Sequence, residues 1–410
     1  MNILIFLPWL PYPYDTGGNQ AVFNEINAIR RVMNVHLMCF DSPLYRQYRE
    51  KLCADLPGIT IDLYPKLNYK IREMDIPCFL HKMADKIEEK LYTSNYKNVV
   101  CKRLSFRHNY DGHWAEYIKA LINKYNIDIV QAEFVNTLGI IEVIPESVKT
   151  VFVHHQLQYV CNELLLSKKE DREAFMPFAK RMRALEIGYL NLYDAVITLS
   201  DVDAEKLKNS GVASTIYSSF AIVQNKYEYI KPVSFDNRLT FVGPENHNPN
   251  KVGITWFLDK IWPKVLLRNP QMQLDIIGNW TKETISDYKA KYRNVQFLGF
   301  VDVLADVLRG SIMIVPITIG SGIRMKIQEA AQIGIPFVTT IVGVEGLPFK
   351  NGKDCFIADR EDDFADSILK LQDISLQQSF AESSNILVTS HYSLENLQNN
   401  RCCIYESIMK

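Results

Sequence analysis

Short apolar runs alternate with stretches of helical period along most of the chain. In the first half, Ile3–Leu7, Val35–Phe40, Ile127–Ala132, Thr150–His154 and Ala195–Leu199 are brief, largely apolar and rich in β-branched residues. That is the pattern of strands buried on both faces. The second half repeats it with Leu239–Gly243, Gln273–Ile277, Val295–Leu298, Ile312–Pro316 and Pro336–Thr340. Between the runs, Ala21–Arg31, Ala115–Tyr125, Lys180–Tyr193, Val252–Leu267 and Ile323–Ile333 space their apolar residues as helices do. The alternation predicts an α/β fold of two doubly wound domains with parallel sheets.

Ala221–Asn237 mixes polar, aromatic and charged residues without a clean period and reads as the linker. The expected domains are therefore 1–225 and 226–385, followed by a segment 386–410. Its helix, around Asn396–Met409, is placed to pack back on the first domain. Ligands of such sheets sit beyond the carboxyl ends of the strands. Two domains facing each other would then share one cleft.

The stretch from Val315 to Thr340 carries the most chemistry. It reads as a buried strand, the glycine loop Gly320-Ser321-Gly322, a helix stopped by Gly334, and a second strand. The two glycines free the loop to turn its amide groups toward a ligand. The helix is expected to start near Ile323 with Arg324 and Lys326 in its first turn and no carboxylate there. Cations at that end oppose the helix dipole, and an intervening phosphate resolves the conflict. Gly322, Lys326, Glu329 and Ile333 fall on one helical face. An ionised Glu329 could accept both hydroxyl hydrogens of a ribose. Phosphates at the loop and ribose at the carboxylate describe a nucleoside diphosphate. A plain Lys326–Glu329 surface pair, worth about 0.3 kcal/mol, is the competing reading.

Composition narrows the class. The chain has 410 residues, 47% of them apolar, with 46 Lys+Arg against 47 Asp+Glu and a net charge of -1. This balance argues against a nucleic-acid binder. The eight cysteines are scattered and form no Cys-x-x-Cys pair, as in reduced thiols rather than a disulfide framework or a metal site. The amino terminus shows no basic leader, and no apolar run reaches about 18 residues. A cytoplasmic location is expected, with peripheral contact at the inner face of the membrane as its variant. Lys66–Arg107 departs from the average, with ten Lys/Arg against five Asp/Glu, a local net of +5. Two readings stand for this insert. One is a solvated helix pair; the other is a face for anionic lipid or an acidic acceptor. Asp201-Val-Asp203 follows Ser200 and reads as a helix start rather than a metal ligand pair.

Taken in order, these motifs resemble the retaining glycosyltransferases of family 4, the group 1 glycosyltransferases with the GT-B fold. Pro8-Trp-Leu-Pro-Tyr-Pro-Tyr-Asp-Thr-Gly17-Gly18 is similar to the glycine loop after their first strand. Val153-His-His155-Gln-Leu-Gln resembles the loop with their active-centre histidine, and Tyr193–Ser200 a strand ending in serine. Leu239-Thr-Phe-Val-Gly243, Asn248-Pro-Asn-Lys251, Ile261-Trp-Pro263, Asp275–Gly278 and Phe297-Leu-Gly299 resemble segments of their second domain. Two departures stand out: Ser321 occupies the place of a common glutamate, and Pro244 that of a basic residue.

The resemblance implies two Rossmann-like domains facing across a cleft. It implies transfer of a sugar from a UDP- or GDP-type donor to a hydroxyl of a glycan or lipid-linked acceptor, in surface polysaccharide or glycolipid synthesis. Catalytic roles would fall to His155, Arg324 and Lys326. Donor contacts would come from Gly17, Gly18, Gly243, Lys251, Gly299, Gly320, Ser321, Gly322 and Glu329, with no metal and no cofactor. His154 is the weaker of the two histidine candidates. The alternatives are a GT-B sugar-nucleotide epimerase or hydrolase, or a non-catalytic scaffold that binds nucleotide sugars.

Overall fold

The structure is a computed structural model that describes residues 1–64, 112–167, 172–223 and 227–410. The basic insert at 66–107 lies outside them. The described chain forms two compact units. The first is Met1–Ala221 together with Leu394–Lys410, and the second is Ile222–Ser393. The expected 386–410 segment divides at its start. Residues up to His391 finish the helix Ile374–His391 of the second unit, whereas the helix Leu394–Met409 belongs to the first.

In the first unit, β1 (Asn2–Phe6), β2 (Asn34–Phe40), β3 (Thr60–Tyr64), β4 (Ile129–Glu133), β5 (Lys149–His154), β6 (Ala195–Thr198) and β7 (Thr215–Ser218) form one sheet. Its order is β3-β2-β1-β4-β5-β6-β7, with every pairing parallel. In the second unit, β8 (Arg238–Val242), β9 (Gln273–Ile277), β10 (Val295–Gly299), β11 (Ser311–Val315), β12 (Phe337–Thr339) and β13 (Phe356–Ile357) follow the order β10-β9-β8-β11-β12-β13. These pairings are parallel as well. Strand alternation sends Ile312 and Ile314 to one face of this sheet and Met313 and Val315 to the other, so each face has its own core. Both units are therefore Rossmann-like, covered by helices on both sides.

The strand order reverses between β1 and β4 in the first sheet and between β8 and β11 in the second. At such a switch point the following loops part to opposite faces, opening a crevice beyond the carboxyl ends. This is where both candidate sites lie within their own units.

Three strands were not expected: β3, β7 and β13. All are sheet edges and only partly buried, so their sequences, such as Thr60-Ile-Asp-Leu-Tyr64, carry no apolar run. The helix expected over Val252–Leu267 is interrupted. Asn248–Trp256 leads into a π turn at Phe257–Ile261, and Trp262–Arg268 continues. Pro263 has no N–H to donate to the preceding turn, and the wider π turn absorbs the missing bond. The helix after the glycine loop starts at Met325, two residues later than expected, and ends at Gly334 with φ +89°.

Candidate functional site

The second unit gathers its candidate residues at the β8/β11 switch point. Gly243 follows β8, and its amide bonds to Ile277 O at 2.8 Å. A Cβ there would meet the Asn250 side chain, so glycine lets Asn250 close over the strand end. Asn250 Nδ2 donates to Pro244 O at 3.0 Å, and its Oδ1 accepts from Lys326 Nζ at 2.9 Å. Lys326 also donates to Val242 O and lies over the Phe241 ring at 4.9 Å from its centroid. The lysine thus reaches from its helix back to the end of β8.

Arg324 precedes the helix as its cap residue and is 8% exposed. Its Nη1 donates to Ser321 O at 2.7 Å and to Gly322 O, so the guanidinium holds the glycine loop in shape. Gly320 and Gly322 sit at φ +110° and +81°, where a side chain is strained, and a Cβ on Gly320 would crowd the guanidinium at 3.2 Å. The sequence expectation is therefore corrected in one respect. Arg324 is not on the first helical turn; it is folded into the loop.

The electrostatics favour an anion. Val242 O, Ser321 O, Gly322 O and Asn250 Oδ1 are all neutral acceptors, so these bonds leave both positive charges in place. Burial, followed by the charge of Arg324, pushes Lys326 down to about 7, against the opposing pull of Glu329. His247, just upstream of Asn250, is pushed down to about 4 by its loss of solvation and by Lys326 and Arg324. A binding anion would offset this repulsion. His247 and the role of Asn250 were missed from sequence. The Asn248–Lys251 signal marked the loop but not which of its residues turn inward.

The other candidates distribute as follows. Glu329 is half-buried one turn after Lys326 on the helix, while Ile333 is fully buried. With burial as the larger cause, Glu329 raises the nearby Tyr227 phenol to about 12. Ser321 is 5% exposed within the loop. Gly299 ends β10 at φ +72° and accepts from the Gly278 amide at 2.7 Å. Lys251 is already paired, its Nζ lying 2.7 Å from Glu245 Oε1. Burial opposes ionisation of Glu245, but Lys251, Thr284 and the Thr281 amide outweigh it and hold the carboxyl at about 2. Lys251 therefore braces the loop and brings little uncancelled charge.

Gly253 fixes the helix Asn248–Trp256 against the end of β11, since any Cβ would collide with Pro316 O. Gly253→Ala is expected to cost about 1–3 kcal/mol by overpacking. Urea unfolding checks this: a midpoint equal to wild type would contradict the close approach.

The first unit assembles its candidates at the β1/β4 switch point. Gly17 and Gly18 open the helix Gly17–Ile29, capped by Thr16. The loop before it is tied down by Asn19, which accepts from Trp9 Nε1 at 2.8 Å and donates to Pro13 O at 2.7 Å. A Cβ on Gly18 would approach the Phe134 ring at 3.3 Å. Phe134 follows β4 at φ +66°, rare for a non-glycine residue, and such strain persists where neighbours enforce it. Its ring lies between Trp9, at 4.8 Å, and His155, stacked at 3.9 Å. His155 Nε2 meets Glu133 Oε2 at 2.5 Å.

The two histidines are separated clearly. His154 Nε2 bonds to Glu186 Oε1 at 2.8 Å, and Glu186 also accepts from the Gln158 and Tyr159 amides. That histidine holds a helix start in place. His155, beyond the strand, joins Gly18, Phe134 and Trp9 around one spot. Asp201 and Asp203 lie in the first turn of the helix Asp201–Ser210, as a helix start rather than a ligand pair, but the cap itself is Ser200, whose Oγ accepts from the Asp203 amide at 3.1 Å. Among the described residues, no three His, Cys, Asp or Glu side chains are placed to hold a metal ion. No described helix is long and apolar enough to cross a membrane.

Comparison with known proteins sets the second unit's site in a family. Residues 236–373, which contain Gly243, His247, Arg324, Lys326 and Glu329, match the family described as Glycosyl transferases group 1. That match falls within the second unit and does not extend to the first. The whole chain is similar in fold to TarM of S. aureus, with 13% identity, a TM-score of 0.71, and coverage of 100% of this chain and 98% of TarM. It is also similar to HepE of Anabaena, solved in complex with UDP-glucose, at 12% identity and a TM-score of 0.67 over 99% of this chain and 100% of HepE. Sucrose-phosphate synthase from Thermosynechococcus elongatus gives 15% identity and 0.69 over 100% and 99%. At these identities the likeness is one of fold, and the fold is GT-B. An "uncharacterized 44.6 kDa protein in cps region" of Klebsiella pneumoniae is 27% identical over 179 residues, 42% of this chain. The match spans 46% of that relative, about half its length.

Proposed function

We propose that the chain transfers a sugar from a nucleotide-diphosphate donor to an acceptor hydroxyl, with retention at the anomeric carbon, in synthesis of a surface polysaccharide or glycolipid. The observation that carries this reading is the convergence of Arg324 and Lys326 on neutral acceptors at the β8/β11 switch point, within the residues matched to the family. Support for a nucleotide-sugar donor comes from HepE, solved with UDP-glucose and with UDP. Support for a glycan-type acceptor comes from a TarM structure holding UDP and alpha-GlcNAc-glycerol, and from the cps-region relative. The cytoplasmic side of the membrane is the setting we assign to the reaction.

In this reading the bond from the anomeric carbon to the diphosphate oxygen breaks, and its electron pair leaves with the diphosphate. Lys326, Arg324 and the amides of the Gly320–Gly322 loop stabilise that charge as it develops. The acceptor oxygen adds from the same face, and its proton passes to the departing phosphate oxygen. Glu329 accepts from the ribose hydroxyls, with Gly243 and Gly299 giving the nucleotide close access to the strand ends. Gly17, Gly18 and His155 shape the acceptor side, and Ser321 faces the sugar. Lys251 has a secondary part, since Glu245 already compensates its charge.

Incubation with UDP- and GDP-sugars, with and without a panel of glycan and lipid-linked acceptors, tests the proposal. Mass spectrometry should show acceptor extended by one sugar, and NMR of that product the donor's own anomeric configuration. Rapid donor breakdown without acceptor would favour a hydrolase or epimerase, and tight donor binding without any product a scaffold.

The depressed Lys326 gives the reading a pH signature. An anion favours the protonated lysine, so nucleotide-sugar affinity should be full below about pH 7 and weaken above it. The fall is at most about tenfold per pH unit until the lysine of the complex titrates. A nucleotide sugar is the right probe, because its diphosphate has no group titrating near neutrality. Calorimetric affinity that is flat from pH 6 to 9 would remove Lys326 from the site.

A further inference from the structure

The β1/β4 switch point of the first unit holds a buried polar network that its described role does not use. Glu25 is 3% exposed, Arg401 1%, and Gln131, Glu133 and Tyr405 are fully buried. Arg401 Nη2 donates to Glu25 Oε2 at 3.0 Å. Gln131 Nε2 donates to Glu25 Oε1 at 2.8 Å and to Glu133 Oε1 at 2.5 Å. The Tyr405 hydroxyl meets Gln131 Oε1 at 2.5 Å and Glu25 Oε1 at 3.1 Å. Glu133 Oε2 then meets His155 Nε2. The chain of contacts runs without a break from the carboxyl-terminal helix to the histidine, about 250 residues earlier in sequence.

We propose that Arg401 and Tyr405 are positioning residues for His155. Acting through Glu25, Gln131 and Glu133, they fix its ring orientation and tautomer. The proposal rests on the reading of His155 as a reaction-centre residue.

Charge counting explains how. Arg401 brings one positive charge and the two carboxylates two negative ones, so the buried group is neutral only with one added proton. Arg401 holds Glu25 as its ionised partner, which leaves that proton in the Glu133–His155 contact. Burial raises Glu133 to about 8 and lowers His155 to about 3, which favours the neutral pair. Glu133 then donates to Nε2, and the ring's own proton sits on Nδ1. The charged or titratable groups acting on His155 are Glu25, Glu133, Arg401 and His154. Gln131 cannot reverse its amide without losing both carboxylate contacts, and Tyr405 pins the amide oxygen. The terminal helix thus decides which ring nitrogen is a donor.

The test is ¹⁵N NMR of the full chain with labelled histidine, His155 being assigned by its loss in His155→Ala. In wild type, His155 should show one tautomer, protonated at Nδ1, and no titration between pH 7 and 5. In Arg401→Met, Glu25 takes up a proton, Gln131 loses its fixed register, and the ring should show a mixture of the two tautomers. Tyr405→Phe, which keeps the packing ring, should show the same change to a smaller degree, and Arg401→Lys should restore part of the wild-type pattern. A merely structural role would change thermal stability and leave the ring signals alone. An unaltered tautomer in both folded variants overturns the proposal. With an active donor–acceptor pair, both variants should lose kcat while donor KM stays constant. Altered ring signals with unchanged kcat would overturn the positioning role. The NMR outcome is read whether or not transfer is observed, so a failure of the proposed activity is seen separately.

Discussion

Arg324→Ala and Lys326→Ala should each weaken nucleotide-sugar binding roughly 10- to 100-fold, matching the roughly 1.5–3 kcal/mol carried by a hydrogen bond to a charged group. The expectation follows from how each cation is held. Lys326 is anchored by Val242 O and Asn250, and Arg324 by two loop carbonyls, so both ends are pre-placed and ordering them on binding costs little. Arg324→Lys should recover only part of the loss, because an ammonium cannot hold Ser321 O and Gly322 O while also facing a phosphate. Stability separates binding from folding for Lys326. Its folded pKa of about 7 lies below the usual lysine range. The folded state therefore binds fewer protons than the unfolded one above pH 7, and the charging penalty is present in full below it. Lys326→Met should accordingly be no less stable than wild type at pH 6 while failing to bind. Calorimetry and thermal unfolding measure the two effects; unchanged affinity in both alanine variants would sink the phosphate assignment.

Arg401→Met should be the most damaging single change in the first unit, at about 3–5 kcal/mol, because it leaves a buried carboxylate without its partner. Burial already raises Glu25 against the pull of Arg401, so loss of the arginine converts Glu25 into an acid that takes up a proton on folding. Further removal of the acid, in Arg401→Met/Glu25→Leu, should recover most of the loss, since a buried ion pair is often replaceable by apolar side chains. Thermal and urea unfolding of the two variants decide the matter. A double variant less stable than the single one would show that the pair itself, and not the stranded carboxylate, is what the fold requires.

The two sheets were legible because their inner strands are doubly buried and so read as apolar runs. β3, β7 and β13 escaped notice because edge strands need no such run. The glycine loop, the helix stop at Gly334 and the helix start at Asp201 were readable from local residue chemistry alone. The direction of Arg324 was not, because helical spacing assumes a helix already begun, and the chain delays it to let the guanidinium hold the loop. His247 and the network from Arg401 to His155 left no sequence signal, since they join residues that only the fold brings together. Lys251 shows the opposite failure: a cation placed well by sequence, but cancelled by Glu245.

Titration of the full chain with a panel of UDP- and GDP-sugars, followed by thermal unfolding in wild type and in Arg324→Ala/Lys326→Ala, probes the donor site most directly. At 100 times its dissociation constant, a ligand bound only to the folded state adds about 2.7 kcal/mol. At least one nucleotide sugar should raise the wild-type midpoint by several degrees, and the double variant should show no shift at the same concentration. If no nucleotide sugar moves the wild-type midpoint, or if the double variant responds as strongly, the β8/β11 switch point is not a donor site.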